Sequence, residues 1–161
     1  MKQTGGIVLS DLITAATIVL DLKGADGDAV LAELVARIPA IANRPEARQN
    51  LLRALQEREQ LHSTGIGDGI ALPHARSALV GLVTEPVIVF GRHAQGIPFG
   101  AIDGIPSRLF FLVVAPTVTQ HLAALARLSR LLRDPRLRQG LLTADGAKTV
   151  LALIREAESR M

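Results

Sequence analysis

No cysteine, tryptophan or tyrosine occurs among the 161 residues. The missing cysteine removes disulfides, thiolate nucleophiles and cysteine-based zinc sites, and it permits a reducing compartment. With four Phe as the whole aromatic content, the chain lacks the stacking platforms expected of a single-strand nucleic-acid binder. Excess charge is missing as well. Eighteen Lys and Arg stand against 15 Asp and Glu, a formal net charge of +3, so basicity alone does not point to nucleic acid. Arg127, Arg130, Arg133, Arg136 and Arg138 are expected to form a solvated helix face. Long apolar runs are also absent. The longest near the N-terminus, Ile13 to Leu20, has eight residues and is flanked by Asp11 and Asp21, whereas a membrane span needs about 20. These absences imply a soluble, cytoplasmic protein with no membrane insertion and no nucleic-acid partner.

What is present is a globular composition, 48% hydrophobic, in a chain long enough to bury a core as a single domain over residues 1–161. "TIVLDLKG" (Thr17–Gly24) is β-branched and apolar, closed by glycine, and reads as a strand. In "GDAVLAELVARI" the residues Val30, Leu31, Leu34, Val35 and Ile38 share one helical face, with Asp28 as the expected N-cap. A second helix is expected over Pro45–Gln60, with Leu51, Leu52 and Leu55 as its stripe. Strands follow at Gly69–Leu72, Pro86–Gly91 and Leu109–Ala115. "LFFLVVA" is apolar on both faces, as in a central strand covered on both sides. "RHAQGIPFGAIDGIPSR", between the last two strands, reads as a long loop. Three helical segments close the chain. The order strand, two helices, three strands, three helices predicts an α/β fold, a three-layer α/β/α sandwich around a mixed sheet.

Two helices carry a polar residue on an apolar stripe. Leu51, Leu55 and Arg58 share a face of the second helix, so Arg58 points toward the core side near the helix end. It must find an anion or a cluster of carbonyls there; a plain helix-end arginine binding the last carbonyls satisfies the same spacing. His121, Leu125, Leu128 and Leu132 share a face of a later helix. His121 lies near that helix's N-terminus, where the helix dipole favours a neutral imidazole; a core histidine bonded to a carbonyl fits equally well.

The third unusual feature is "STGIGDGIALPHAR", Ser63 to Arg76, with glycines at positions 65, 67 and 69. Pro73 cannot donate to a ladder and marks a strand end, which puts His74 just past the C-terminal end of a short strand. A P-loop is excluded because the Gly-Lys-Ser/Thr ending is absent, and a dinucleotide fingerprint because the spacing is G-x-G-x-G with no helix before Pro73. His62, His74, His93 and His121 lack the paired spacing of a zinc site, so no metal is expected. No G-x-S-x-G elbow supports a serine triad.

"STGIGDGIALPHAR" closely resembles the signature around the phosphorylated histidine of enzyme IIA domains of the bacterial phosphoenolpyruvate-dependent sugar phosphotransferase system, mannitol/fructose type. "LLRALQEREQLHSTGIG", "GIPFGAIDGIPSRLFFLVVAP" and "HLAALARLSRLLRD" are similar to the flanking family segments, so the resemblance spans almost the whole chain. It implies that His74 accepts and donates the phosphoryl group through Nε2. Arg58, sixteen residues earlier, falls where the family has its active-site arginine, and His121 where it has a second active-site histidine. The backbone around Thr64, Gly65, Gly67 and Gly69 is expected to add anion contacts as a phosphate-binding loop. No cofactor is implied. The implied partners are a histidine phosphocarrier protein and either a separate enzyme IIB or regulatory target proteins, docking on apolar residues such as Ala71, Leu72 and Ala75. The style of the motif is most like the nitrogen-regulatory branch, although Asp68 stands where members of that branch often have Asn. The alternatives are a fructose or mannitol enzyme IIA and, from another class, a non-catalytic binding module that keeps the fold. His62 has no place in the pattern.

Overall fold

Alternation along Ser107–Val114 organises the molecule. In the computed structural model, which describes residues 7–75 and 81–161, this strand (β5) sends Leu109, Phe111 and Val113 to one face and Phe110, Leu112 and Val114 to the other. Both sets are buried. In chain order the elements are β1 (Ile18–Val19), α1 (Gly27–Val35), α2 (Pro45–Leu61), β2 (Gly65–Gly67), β3 (Ile70–Ala71), β4 (Val87–Ile97), β5, α3 (Val118–Leu131), α4 (Pro135–Thr143) and α5 (Ala147–Ser159). The sheet order is β1-β4-β5-β3-β2. β1 is parallel to β4 and β3 to β5, whereas β4–β5 and β2–β3 are antiparallel. One face packs against α1 and α2 through Val30, Leu34, Leu51 and Leu55; the other packs against α3, α4 and α5 through Leu128, Leu141 and Ile154. This is the expected mixed-sheet, three-layer arrangement.

Several local expectations need correction. The first strand is only Ile18–Val19, because Ala15–Thr17 forms a 3-10 turn closed by reciprocal Thr14–Thr17 bonds. The N-cap of α1 is Asp26, which accepts from the Ala29 N–H at 2.9 Å; Asp28 lies inside the first turn, where its charge suits the helix dipole. A strand at Gly65–Gly67 was not expected, since Gly-Ile-Gly carries no strand propensity. It forms because β3 offers it a partner edge.

The expected loop begins too early. Arg92–Ile97 continues β4 with a register shift, and its polar side chains find backbone partners. The Arg92 guanidinium donates to the carbonyls of Leu20, Leu141 and Ala144 at 3.3, 3.0 and 2.7 Å. His93 Nε2 donates to the Gly24 carbonyl at 2.9 Å, while its Nδ1 accepts from Gly96 N–H at 3.0 Å. Both ring nitrogens of His93 are thereby engaged by the scaffold. Nor do the five arginines form one solvated face: Arg138 donates to the Leu132 carbonyl at 2.8 Å, and Arg127 reaches Glu158.

Glu158 ties the chain ends together. Its carboxylate accepts from the backbone N–H groups of Leu9 and Ser10 at 2.7 and 2.9 Å and from Arg127 Nε at 2.8 Å. Burial pushes its pKa up, but the bonds from Arg127, Ser10 and Leu9 together hold it below the ordinary carboxylate value. Its stabilising contribution therefore stands in full above that ordinary value and is lost as pH falls through the folded-state value. Glu158→Ala strands two backbone donors and is expected to lower stability by about 2–3 kcal/mol. Urea denaturation at neutral pH measures it; a loss below about 0.5 kcal/mol would contradict this role.

Candidate active site

The site forms where β3, α2 and α3 converge. Past β3 the chain remains tied to the sheet on both sides. Leu72 N–H donates to the Thr64 carbonyl at 3.0 Å, and Val113 N–H to the Pro73 carbonyl at 3.0 Å. Proline's missing N–H costs nothing here, because its carbonyl is the bonded group. His74 then bridges to Val113 as an isolated parallel pair. Its backbone is thus held by the central strand while its half-buried ring stands at the strand end.

The imidazole is oriented by a short bond, 2.6 Å between Nδ1 and the Leu72 carbonyl oxygen. A carbonyl only accepts, so Nδ1 carries the proton. In the neutral ring the lone pair is then on Nε2. Burial lowers the His74 pKa, the Leu72 bond opposes this, and the Arg58 charge lowers it further. The ring is consequently neutral at pH 7. In a proton-NMR titration the His74 midpoint is expected below 6.5, the ordinary value; a midpoint above it would contradict the assigned environment.

His121 lies across from His74. The ring centroids are 5.5 Å apart with an interplanar angle of 57°. It sits in the first turns of α3, whose N-cap Thr117 accepts from Gln120 N–H at 3.2 Å. The ring belongs to a residue only 6% exposed, and burial followed by the neighbouring His74 lowers its pKa. Arg58, on the last turn of α2, donates from Nη1 to the His62 carbonyl just past the helix end. It therefore does what a helix-end arginine does, and it also lies close enough for its charge to act on His74. His62 itself is exposed and contributes only that carbonyl. The spacing had singled out Arg58 and His121, and the fold brings both to His74.

The glycine loop is different. Thr64 is buried; its N–H donates to Glu59 Oε2 at 3.1 Å and its hydroxyl to Glu59 Oε1. Gly65 N–H is taken by Ser63 Oγ at 2.9 Å. Gly67 and Gly69 flank the hairpin turn at the opposite end of β3 from His74, with φ of 93° and 76°. Asp68 between them has φ 58°, a left-handed conformation that Asp and Asn accept more readily than other non-glycine residues. Its N–H donates to Asp103 Oδ2 at 2.9 Å. Of the expected phosphate-binding loop of Thr64, Gly65, Gly67 and Gly69, the N–H groups of Thr64 and Gly65 are already bonded within the fold, and Gly67 and Gly69 stand at the end of β3 away from His74. Three consecutive positive-φ residues let β2 fold back on β3, which is what the glycines are for.

The expected docking residues also change. Ala71, Leu72 and Ala75 are buried and cannot meet a partner. Val118 and Leu122, both 59% exposed, flank His121 on α3 and present apolar surface beside the site. Glu59, which anchors Thr64, was missed; its adjacency to Arg58 on the helix end was the available signal. Among the described residues no cluster of three or more His, Asp or Glu could hold a metal ion, and no helix is long and apolar enough to cross a membrane.

The chain is similar to known proteins over nearly its whole length. Residues 11–157 match the family model "Phosphoenolpyruvate-dependent sugar phosphotransferase system, EIIA 2". The chain is 35% identical to the fructose-specific EIIABC component of Bacillus subtilis over 150 residues, 92% of this chain but only 23% of that longer protein. It is 30% identical to the nitrogen regulatory protein of Bradyrhizobium diazoefficiens over 148 residues, covering 91% of this chain and 94% of that one. The crystal structure of nitrogen regulatory protein IIA-Ntr from Neisseria meningitidis superposes with a TM-score of 0.77 at 27% identity, over 90% of this chain and 97% of the other. By sequence over nearly its whole length, and by fold, the chain belongs to the EIIA type 2 family of the phosphoenolpyruvate-dependent sugar phosphotransferase system.

Proposed function

We propose that His74 is the phosphoryl acceptor and donor, and that the protein is a nitrogen-regulatory enzyme IIA whose phosphorylation state controls its binding to other proteins. The single observation that carries the chemistry is the Leu72 carbonyl on His74 Nδ1. It leaves the Nε2 lone pair as the nucleophile. In transfer from a phosphohistidine carrier, the donor's P–N bond breaks as the bond from phosphorus to Nε2 forms. The electron pair of the broken bond returns to the donor ring, which keeps the proton on its other nitrogen and departs neutral. The His74 proton stays on Nδ1, donated to the Leu72 carbonyl, throughout.

The transition state spreads negative charge over three oxygens. Arg58 can turn its planar fork of donors toward them from the helix end, and His121 can donate from a ring nitrogen. This scheme uses no metal. The apolar side chains of Val118 and Leu122 give a carrier protein a patch beside the reacting ring, suited to a modest, transient interface.

The regulatory reading is supported by near-full-length similarity to nitrogen regulatory proteins. A second reading, transfer to an enzyme IIB for fructose, is supported by the fructose-specific relative that contains EIIA, EIIB and EIIC parts in one chain. Incubation with a phosphorylated histidine phosphocarrier should give an acid-labile phosphoprotein, and no uptake of label by the wild type would overturn the reading. Adding a separate fructose enzyme IIB to the labelled protein decides the branch. Label retained on the IIA supports regulation, and rapid transfer to the IIB replaces it with sugar transport.

A further inference from the structure

We infer that Glu59 is a positioning residue for His74, acting through a continuous run of hydrogen bonds from the end of α2 to the imidazole. This rests on the proposed role of His74 as phosphoryl acceptor. The run has four links. Glu59 accepts from the Thr64 hydroxyl and from Thr64 N–H, the latter at 3.1 Å. The Thr64 carbonyl accepts from Leu72 N–H at 3.0 Å. The Leu72 carbonyl accepts from His74 Nδ1 at 2.6 Å.

Each link constrains the next. Thr64 is only 3% exposed, so its N–H and hydroxyl require a partner, and a carboxylate is the acceptor that can take both at once. With Thr64 pinned to α2, its carbonyl holds the Ala71–Leu72 peptide through the Leu72 N–H, and Val113 N–H holds the Pro73 carbonyl on the other side. The Leu72–Pro73 peptide that presents the Leu72 carbonyl to the ring is thereby fixed from both ends. Glu59 also follows Arg58 directly on the last turn of α2. The same helix end therefore places the guanidinium that acts on His74 and the carboxylate that sets the strand carrying it. Burial raises the Glu59 pKa, the sign of a carboxylate held where charge is costly. A surface tie between a helix and a loop needs no such placement.

The consequence concerns the tautomer. If the Leu72 carbonyl turns away, the Nδ1–H form loses its preference, and part of the population carries the proton on Nε2, where it blocks attack. Glu59→Met keeps the length but removes both acceptors, leaving Thr64 N–H and its hydroxyl without their partner. Thr64→Val removes the hydroxyl and leaves the N–H. Two readouts are taken on both variants. Long-range 15N–1H correlation spectra at pH 8 report the His74 tautomer, and rapid-quench labelling from the phosphocarrier separates the maximal transfer rate from the carrier concentration giving half of it.

For Glu59→Met we expect mixed His74 tautomers and a maximal rate reduced about tenfold, with the half-saturating carrier concentration unchanged. For Thr64→Val we expect a smaller change in the same direction, and Thr64→Ser restores both readouts. Wild-type tautomer and rate in both variants would overturn the positioning role, as would a reduced rate with an unchanged tautomer. The spectra need no phosphoryl donor. If the wild type takes up no label, the phosphohistidine reading fails while the spectra still decide the Glu59 run. Should Glu59→Met fail to fold, Thr64→Val carries the same two outcomes.

Discussion

His74→Ala is expected to take up no phosphoryl group from the carrier, while its thermal midpoint stays within a few degrees of wild type. Both halves of this result follow from the site. The proposed nucleophile is Nε2 of a ring whose other nitrogen is committed to the Leu72 carbonyl. His121 is 94% buried, as its 6% exposure gives, and cannot present itself to an incoming protein. His93 has both ring nitrogens bonded to backbone, and His62 lies outside the arrangement. Stability is spared because the sheet contacts at this point are made by the backbone of Pro73 and Leu72, not by the His74 side chain. The lost Nδ1 bond is worth about 1 kcal/mol, and the half-buried position lets water reach the freed carbonyl. Label retained at wild-type level in this variant would place the phosphoryl group elsewhere.

Arg58→Ala is expected to slow phosphoryl uptake by about 10²–10³, the usual cost of removing a preorganised donor from the developing charge. Arg58→Lys, which keeps the charge and loses the planar fork, falls between the two. Capping the end of α2 through the His62 carbonyl is a separate and smaller contribution, about 1 kcal/mol or less. Rapid-quench rates measured beside thermal midpoints keep the two apart. A rate within threefold of wild type would leave Arg58 as a helix cap only.

His74, Arg58 and His121 stand out in the sequence because each breaks a pattern, and the resemblance to the enzyme IIA signature is what joins them into one proposed site. Arg58 and His121 interrupt apolar stripes, and His74 follows a proline that ends a strand. Long periodic segments were equally clear: α2, α3 and the doubly apolar β5 lie close to where the spacing puts them. What escaped depends on tertiary partners. Gly65–Gly67 is a strand only because β3 lies beside it, and Arg92 and His93 extend β4 because distant carbonyls receive them. The glycines depend on the fold as well: Gly65 lies in β2, and Gly67 and Gly69 flank the hairpin turn at the end of β3 away from His74. The exposed docking surface was misjudged for a related reason. Ala71, Leu72 and Ala75 neighbour His74 in sequence, but a strand inside a sandwich buries its flanks, whereas Val118 and Leu122, beside His121 on α3, are exposed.

The central claim is that the Leu72 carbonyl leaves Nε2 of His74 as the reacting atom. The most direct measurement is phosphorus–nitrogen correlated NMR on the 15N-histidine protein after reaction with the phosphorylated carrier. A single phosphoryl group bonded to Nε2 of His74 is expected, with Nδ1 still protonated. A phosphoryl group on Nδ1, or on any other residue, would contradict it.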